Sequence, residues 1–202
     1  MTDDSDWFEN NFAQNRVMAI LRGFGVQRTL ELAAVAWDLG LDWVEVPIQA
    51  PEDLDALTAI VEAGRARGKQ VGAGTVVTRE HVHQAAKAGA VFTVSPGLDL
   101  DIVRASLDAG LPTLPGVASA SDIQSAERFG LTWLKAFPAS VLGTEWLRAM
   151  RGPFPSIRFV ATGGLAADNA VEFLDAGARV VAVGSALADA AQLPRLAELA
   201  KR

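Results

Sequence analysis

The 202-residue chain contains no cysteine. That excludes disulfides, thiolate metal sites and a cysteine nucleophile, and nothing else demands an oxidising compartment. Histidine is nearly absent too: only His81 and His83 occur, two apart on a candidate helix and so pointing in different directions. A histidine-rich metal centre is not expected; an oxygen-ligated magnesium site is the metal class these counts leave open. The net charge is −6 and no run of lysine or arginine occurs, which argues against a nucleic-acid surface. No apolar stretch approaches the ~20 residues that span a bilayer. The acidic opening, Met-Thr-Asp-Asp-Ser-Asp, has no apolar core and does not read as a signal peptide. There is no Gly-x-Ser-x-Gly elbow and no Walker loop. The expectation is a soluble, cytoplasmic protein without nucleic-acid or membrane partners.

What is present is an apolar rhythm. Half the residues are hydrophobic, enough for a sizeable core. Short apolar runs alternate with alanine-rich amphipathic segments on a beat of roughly 20 to 25 residues. The candidate strands are 17–21, 43–48, 70–76, 91–96, 112–117, 132–138, 157–162 and 179–185. Candidate helices lie at 27–39, 52–67, 79–88, 99–109, 120–129, 143–151, 166–176 and 189–201, with an extra N-terminal helix over 5–14. Gly40, Gly89, Gly110, Gly130 and Gly177 each follow a helical run, as a left-handed stop requires. Thr78, Asp99 and Ser119 or Ser121 are candidate N-caps. The strands are continuously apolar, the mark of a parallel sheet covered by helices. Eight strand–helix units predict an α/β fold, a (β/α)8 TIM barrel plus the N-terminal helix; an open doubly wound sheet is the alternative. No linker or composition shift divides residues 1–202, so one domain is expected.

Barrel enzymes carry their chemistry at the C-terminal strand ends. The sixth candidate strand holds Lys135 within Trp-Leu-Lys-Ala-Phe-Pro, residues 133–138, the only one of four lysines to interrupt an apolar strand. Burial favours the neutral amine, which attacks carbonyls. The plainer reading is a strand-end lysine reaching solvent or a carboxylate. Glu45, within Trp-Val-Glu-Val-Pro, fits a proton shuttle or a structural ion pair with Lys135. Gly163-Gly164 and Gly184-Ser185 end the last two strands and offer backbone N–H groups to a phosphate, which approaches closely where no Cβ intervenes. Thr75, after Gly72-Ala-Gly74, fits a substrate carboxylate or ordinary turn chemistry. Arg22 fits a phosphate cation or a surface salt bridge.

These segments occur in the order of a known family. Glu-Val-Pro at 45–47, Gly-Ala-Gly-Thr-Val at 72–76, Val-Ser-Pro-Gly at 94–97, Leu-Pro-Gly-Val at 114–117, Leu-Lys-Ala-Phe-Pro-Ala at 134–139, Thr-Gly-Gly at 162–164 and Val-Gly-Ser-Ala at 183–186 resemble the 2-keto-3-deoxy-6-phosphogluconate/galactonate class I aldolases. The match runs from about residue 16 to residue 190. The resemblance implies a homotrimeric barrel, no metal or other cofactor, and a phosphorylated keto acid as substrate. It implies Lys135 as Schiff-base lysine and Glu45 as proton carrier. It places Thr75, Gly74 and Pro96 at the pyruvate carboxylate and Phe137 against the pyruvyl group. It assigns Thr162, Gly163, Gly164, Ser185 and Arg22 to the phosphate side. Gluconate-type members tend to carry Glu-Val-Thr-Leu-Arg at the second strand. Here Glu-Val-Pro-Ile-Gln-Ala-Pro, residues 45–51, is more similar to the galactonate-type Glu-Ile-Pro-Leu-Asn-Ser-Pro, with Gln49 at the amide position. The galactonate epimer is therefore the expected substrate, with the gluconate epimer as alternative. A phosphosugar isomerase or synthase, or a non-catalytic sugar-phosphate binder on the same barrel, are remoter readings.

Overall fold

The computed structural model describes residues 4–12 and 15–201. Its strands are β1 (Val17–Ile20), β2 (Trp43–Pro47), β3 (Gln70–Gly74), β4 (Thr93–Val94), β5 (Thr113–Leu114), β6 (Gly116–Val117), β7 (Trp133–Ala136), β8 (Arg158–Thr162) and β9 (Val180–Val183). All pair in parallel, in the order β5-β4-β3-β2-β1-β9-β8-β7-β6. The first and last members of that order are two halves of one extended stretch, separated only by Pro115. The sheet therefore closes on itself, and nine segments make eight barrel strands. The expected strand 112–117 is broken in the middle because proline has no N–H to give to a ladder. Its carbonyl still accepts from the Lys135 N–H at 2.9 Å. The expected strand 91–96 is formally shorter, yet Val91 N–H and Ser95 N–H still donate to Val71 and Leu114 carbonyls.

Helices α1 (Asp4–Phe12), α2 (Gly25–Asp38), α3 (Pro51–Ala66), α4 (Arg79–Ala88), α5 (Leu100–Asp108), α6 (Ala120–Phe129), α7 (Ala139–Arg151), α8 (Ala170–Asp175) and α9 (Leu193–Ala200) surround or cap the barrel. Positions 13–14 of the expected first helix lie outside the described residues. Thr78, Asp99 and Ser119 each cap a helix with a side-chain oxygen. Gly89 and Gly130 end α4 and α6 with φ of 84° and 100°, a conformation that L side chains resist. The helix expected at 143–151 begins earlier, at Ala139, with Gly143 as a non-helical joint inside it. The helix expected at 166–176 is shorter, because Asn169 Oδ1 accepts from the Ala166 N–H and holds that stretch as a turn.

The two-residue period of a strand sorts its side chains. On β2, Trp43 belongs to the interior cluster while Val44 and Val46 pack outward against helices. On β7, Trp133 faces inward and Leu134 and Ala136 face outward. Phe8 and Phe12 of α1 join Met18, Trp43, Phe92 and Trp133 in that interior cluster. Phe12 stacks on Trp43 at 4.5 Å between ring centroids. Helix α1 is thus a plug across the barrel floor. Glu45 and Lys135, two residues beyond the two tryptophans, fall on the same inner face one layer above it.

Phe12→Ala should lower unfolding free energy by about 3–5 kcal/mol, the usual range for emptying a buried phenylalanine site. Urea titration followed by tryptophan fluorescence measures it. A loss under about 1 kcal/mol would mean that α1 is not an integral part of the floor.

Candidate active site

Lys135 is 2% exposed and Glu45 is 0% exposed. Burial holds the Lys135 amine below the ordinary lysine range; the Glu45 charge pulls it back up and the Arg22 charge pushes it further down. Neither oxygen of Glu45 accepts a hydrogen bond from the described residues. A buried carboxylate of that kind has unused acceptor capacity. The Lys135 Nζ lies 5.0 Å from the centroid of the Phe137 ring, so an aromatic wall stands beside the amine.

Glycines make room for this pair. A Cβ on Gly74 would fall 1.9 Å from Glu45 Oε1, so the carboxylate occupies space that any other residue would fill. A Cβ on Gly72 would meet the Phe92 ring at 2.3 Å. One on Gly116, the register partner of Lys135, would lie 2.1 Å from the Pro96 carbonyl. Pro96 is thereby packed against the strand next to the lysine.

Thr75 follows Gly74 at the strand end with φ of 58°, and among the described residues it is the only non-glycine in the left-handed region. His81 Nδ1 lies 3.3 Å from the Thr75 carbonyl oxygen and 3.4 Å from the Val77 N–H. His81 is half-buried, where the sequence reads as a solvated helix surface.

A cleft of about 620 Å3 opens above the lysine layer. Arg22, Phe137, Thr162, Gly163, Gly164 and Ser185 line it, together with Phe24 and others. Gly163 and Gly164 have φ of 100° and 70°, which turns the backbone after β8 and leaves room for Phe137 and Ser140 beside it. The Arg22 guanidinium donates to Gln49 Oε1 at 2.5 Å and pairs with no carboxylate among the described residues, so the surface salt bridge is not formed. Gln49 joins the cleft through that hydrogen bond. All twelve expected site residues thus gather at one mouth of the barrel. Phe24, Gly116 and Ser140 join them without having been singled out in the sequence, as does His81, which the sequence offered only as a poor metal ligand. Gly116 left a trace there as a strand-end glycine within Leu-Pro-Gly-Val; Phe24 reaches the mouth on a loop, and His81 and Ser140 reach it in the first turns of α4 and α7.

A closed parallel barrel with a buried lysine and carboxylate beneath a glycine-lined cleft is the architecture of a class I aldolase. The chain belongs to the KDPG and KHG aldolase family, which it matches over residues 8–201, and it is a lyase of the class I type. It is 33% identical to the 2-dehydro-3-deoxy-6-phosphogalactonate aldolase of Escherichia coli K12, across 87% of this chain and 86% of that one. It is 37% identical to the 2-dehydro-3-deoxy-phosphogluconate aldolase of Treponema pallidum, across 84% and 80%. A crystal structure of the Legionella pneumophila KDPG aldolase, with pyruvate captured as a covalent carbinolamine, superposes with a TM-score of 0.83 at 28% identity, covering 99% of this chain and 97% of that one.

The charges around Lys135 give a signed prediction. With lysine labelled by 13C at Cε, the Lys135 signal should titrate below the other three lysines. Glu45→Gln should move that midpoint lower, and Arg22→Gln should move it higher. A Lys135 midpoint equal to that of the exposed lysines would rule out the buried environment. The linkage follows the same sign. The buried ammonium opposes folding below its depressed pKa, and this opposition fades as pH rises toward the ordinary lysine value.

Proposed function

We propose that the protein cleaves a 2-keto-3-deoxy-6-phospho sugar acid to pyruvate and glyceraldehyde 3-phosphate, with the galactonate epimer preferred. The observation that carries this reading is the juxtaposition of Lys135 and Glu45 inside the barrel, directly below a cleft of phosphate-binding character. The neutral Lys135 amine attacks the C2 ketone, and loss of water, with one proton delivered by Glu45 through a water, gives a protonated imine. That cation draws electrons from the C3–C4 bond as Glu45, through a water, takes the proton of the C4 hydroxyl. The bond breaks, the aldehyde departs, and an enamine remains on Lys135. Protonation at C3 and hydrolysis release pyruvate and restore the amine.

The remaining roles are proposed from the family resemblance, and position supports them. Thr75, Gly74 and Pro96 hold the carboxylate at the ends of β3 and β4. Phe137 packs on the pyruvyl group beside Nζ. Thr162, Gly163, Gly164, Ser185 and Arg22 hold the phosphate, whose binding energy orients the distant reacting bond. Gln49, already bonded to Arg22, reaches the C4 hydroxyl that distinguishes the epimers. The same reading takes residues 1–202 as one domain that works in the cytoplasm as a homotrimer, without cofactor.

Borohydride reduction in the presence of pyruvate should leave a stable adduct on the peptide containing Lys135, found by mass spectrometry. Lys135→Ala should abolish both adduct and turnover. A folded protein that gives no adduct would remove the imine mechanism. Gly74→Ala should lower kcat by more than tenfold, because the new methyl displaces the Glu45 carboxylate, while KM changes little. For the epimers, kcat/KM should favour 2-keto-3-deoxy-6-phosphogalactonate, and Gln49→Ala should narrow the difference. A larger kcat/KM for the gluconate epimer would reverse the assignment.

A further inference from the structure

A second cleft lies at the opposite end of β8 and β9, where those strands begin. Its volume is about 540 Å3, and Arg151, Arg158, Arg179, Glu9, Ser156 and Gly177 are among the residues that line it. This falls within the size range of small-molecule sites, about 300–1,000 Å3. Arg158 opens β8 and Arg179 immediately precedes β9, so both arginines stand where neighbouring parallel strands begin, and both line the cleft. Arg151 ends α7 and its side chain crosses Gly177. A Cβ there would fall 2.6 Å from Arg151 Cδ and 2.7 Å from Nη1. The glycine is what admits the third guanidinium.

The charges of this lining do not cancel. Arg158 Nε pairs with Glu9 of α1 at 2.6 Å, and its Nη1 donates to the Ser156 carbonyl at 2.9 Å. The Ser156 hydroxyl is committed to Glu127 at 2.7 Å. Among the described residues, Arg151 and Arg179 have no carboxylate partner. Among the described residues, the lining therefore carries two uncompensated positive charges on a chain whose overall charge is −6. Each free guanidinium is a planar fork suited to bidentate pairing with an oxyanion. Two forks facing one cleft match a dianion, and a phosphate monoester carries about −1.5 to −2 at neutral pH.

We propose that this basal cleft binds a small phosphate-bearing anion, at a site separate from the substrate cleft. Arg151 and Arg179 grip it, while Glu9 occupies the third fork as an internal competitor. The barrel then holds an oxyanion at each end of the same two strands by different means: backbone N–H groups after β8 and β9, guanidiniums before them.

The test follows the arginine 15Nε–Hε signals of the labelled protein during titration with inorganic phosphate, glycerol 3-phosphate and, separately, acetate. The Arg151 and Arg179 signals should shift with both phosphates and stay in place with acetate. Phosphate affinity read at the Arg158 signal, the lining guanidinium that remains, should fall about tenfold or more when Arg151→Gln and Arg179→Gln are combined, the equivalent of losing a charge-assisted hydrogen bond. Cleavage kinetics and the Arg22 response should be unchanged, which also shows that the variant is folded. The single variants carry the same comparison where the double variant does not fold. Glu9→Gln should tighten binding. The proposal is overturned if Arg151 and Arg179 stay still at phosphate concentrations that saturate Arg22, or if acetate moves them equally. It is also overturned if the double variant, read at Arg158, binds phosphate as well as the parent, or if it loses the Arg22 response as well.

Discussion

Placing an ammonium and a carboxylate inside a closed sheet is the constraint on which the rest of this structure depends. Either charge alone in the barrel would carry a desolvation penalty of several kcal/mol. Together each offsets part of the other's penalty, as the upward pull of Glu45 on Lys135 shows. The pair nevertheless lacks the hydrogen-bond frame that ordinarily satisfies a buried ion pair, since neither Glu45 oxygen has a donor among the described residues. A pair optimised for stability alone would have acquired such donors. The polar capacity left open belongs to whatever enters the barrel mouth.

Keeping that capacity open demands that the surroundings neither collapse onto the pair nor let it swing away. The tryptophan layer supplies the floor: Trp43 and Trp133 occupy the positions two residues before Glu45 and Lys135, and α1 fixes them from below. Glycines supply the clearance at Gly72, Gly74 and Gly116, where a methyl group would strike Phe92, Glu45 or the Pro96 carbonyl. Large aromatic rings and absent side chains are thus two parts of one packing solution. The rings fill the volume that the glycines vacate, and the carboxylate fits in what is left.

The strand periods, the glycine stops and the caps at Thr78, Asp99 and Ser119 were all legible in the sequence, because each is a local rule acting over two to four residues. The inward placement of Glu45 and Lys135 follows from the alternation of β2 and β7, which carries the orientation of Trp43 and Trp133 two residues forward. What escaped depends on where loops travel. His81 reads as one exposed residue of an amphipathic helix, yet in the first turn of α4, which Thr78 caps, its ring meets the Thr75 carbonyl. The break at Pro115 escaped because the sequence shows one apolar run, and only barrel closure reveals that its two halves serve different neighbours. The helix expected over 143–151 begins four residues earlier, at Ala139, and the chain passes through Gly143 as a joint.

The α1 plug has a consequence for traffic. A barrel sealed at its floor by Phe8, Phe12 and the two tryptophans has one doorway, and everything that enters leaves by the same route. On the proposed binding mode the three-carbon keto acid lies deepest, bonded to Lys135, and the phosphate end lies at the threshold. The aldehyde half therefore stands between its partner and the solvent. It has to depart first in cleavage and arrive last in synthesis, so the order of events is fixed by depth alone, without any moving gate.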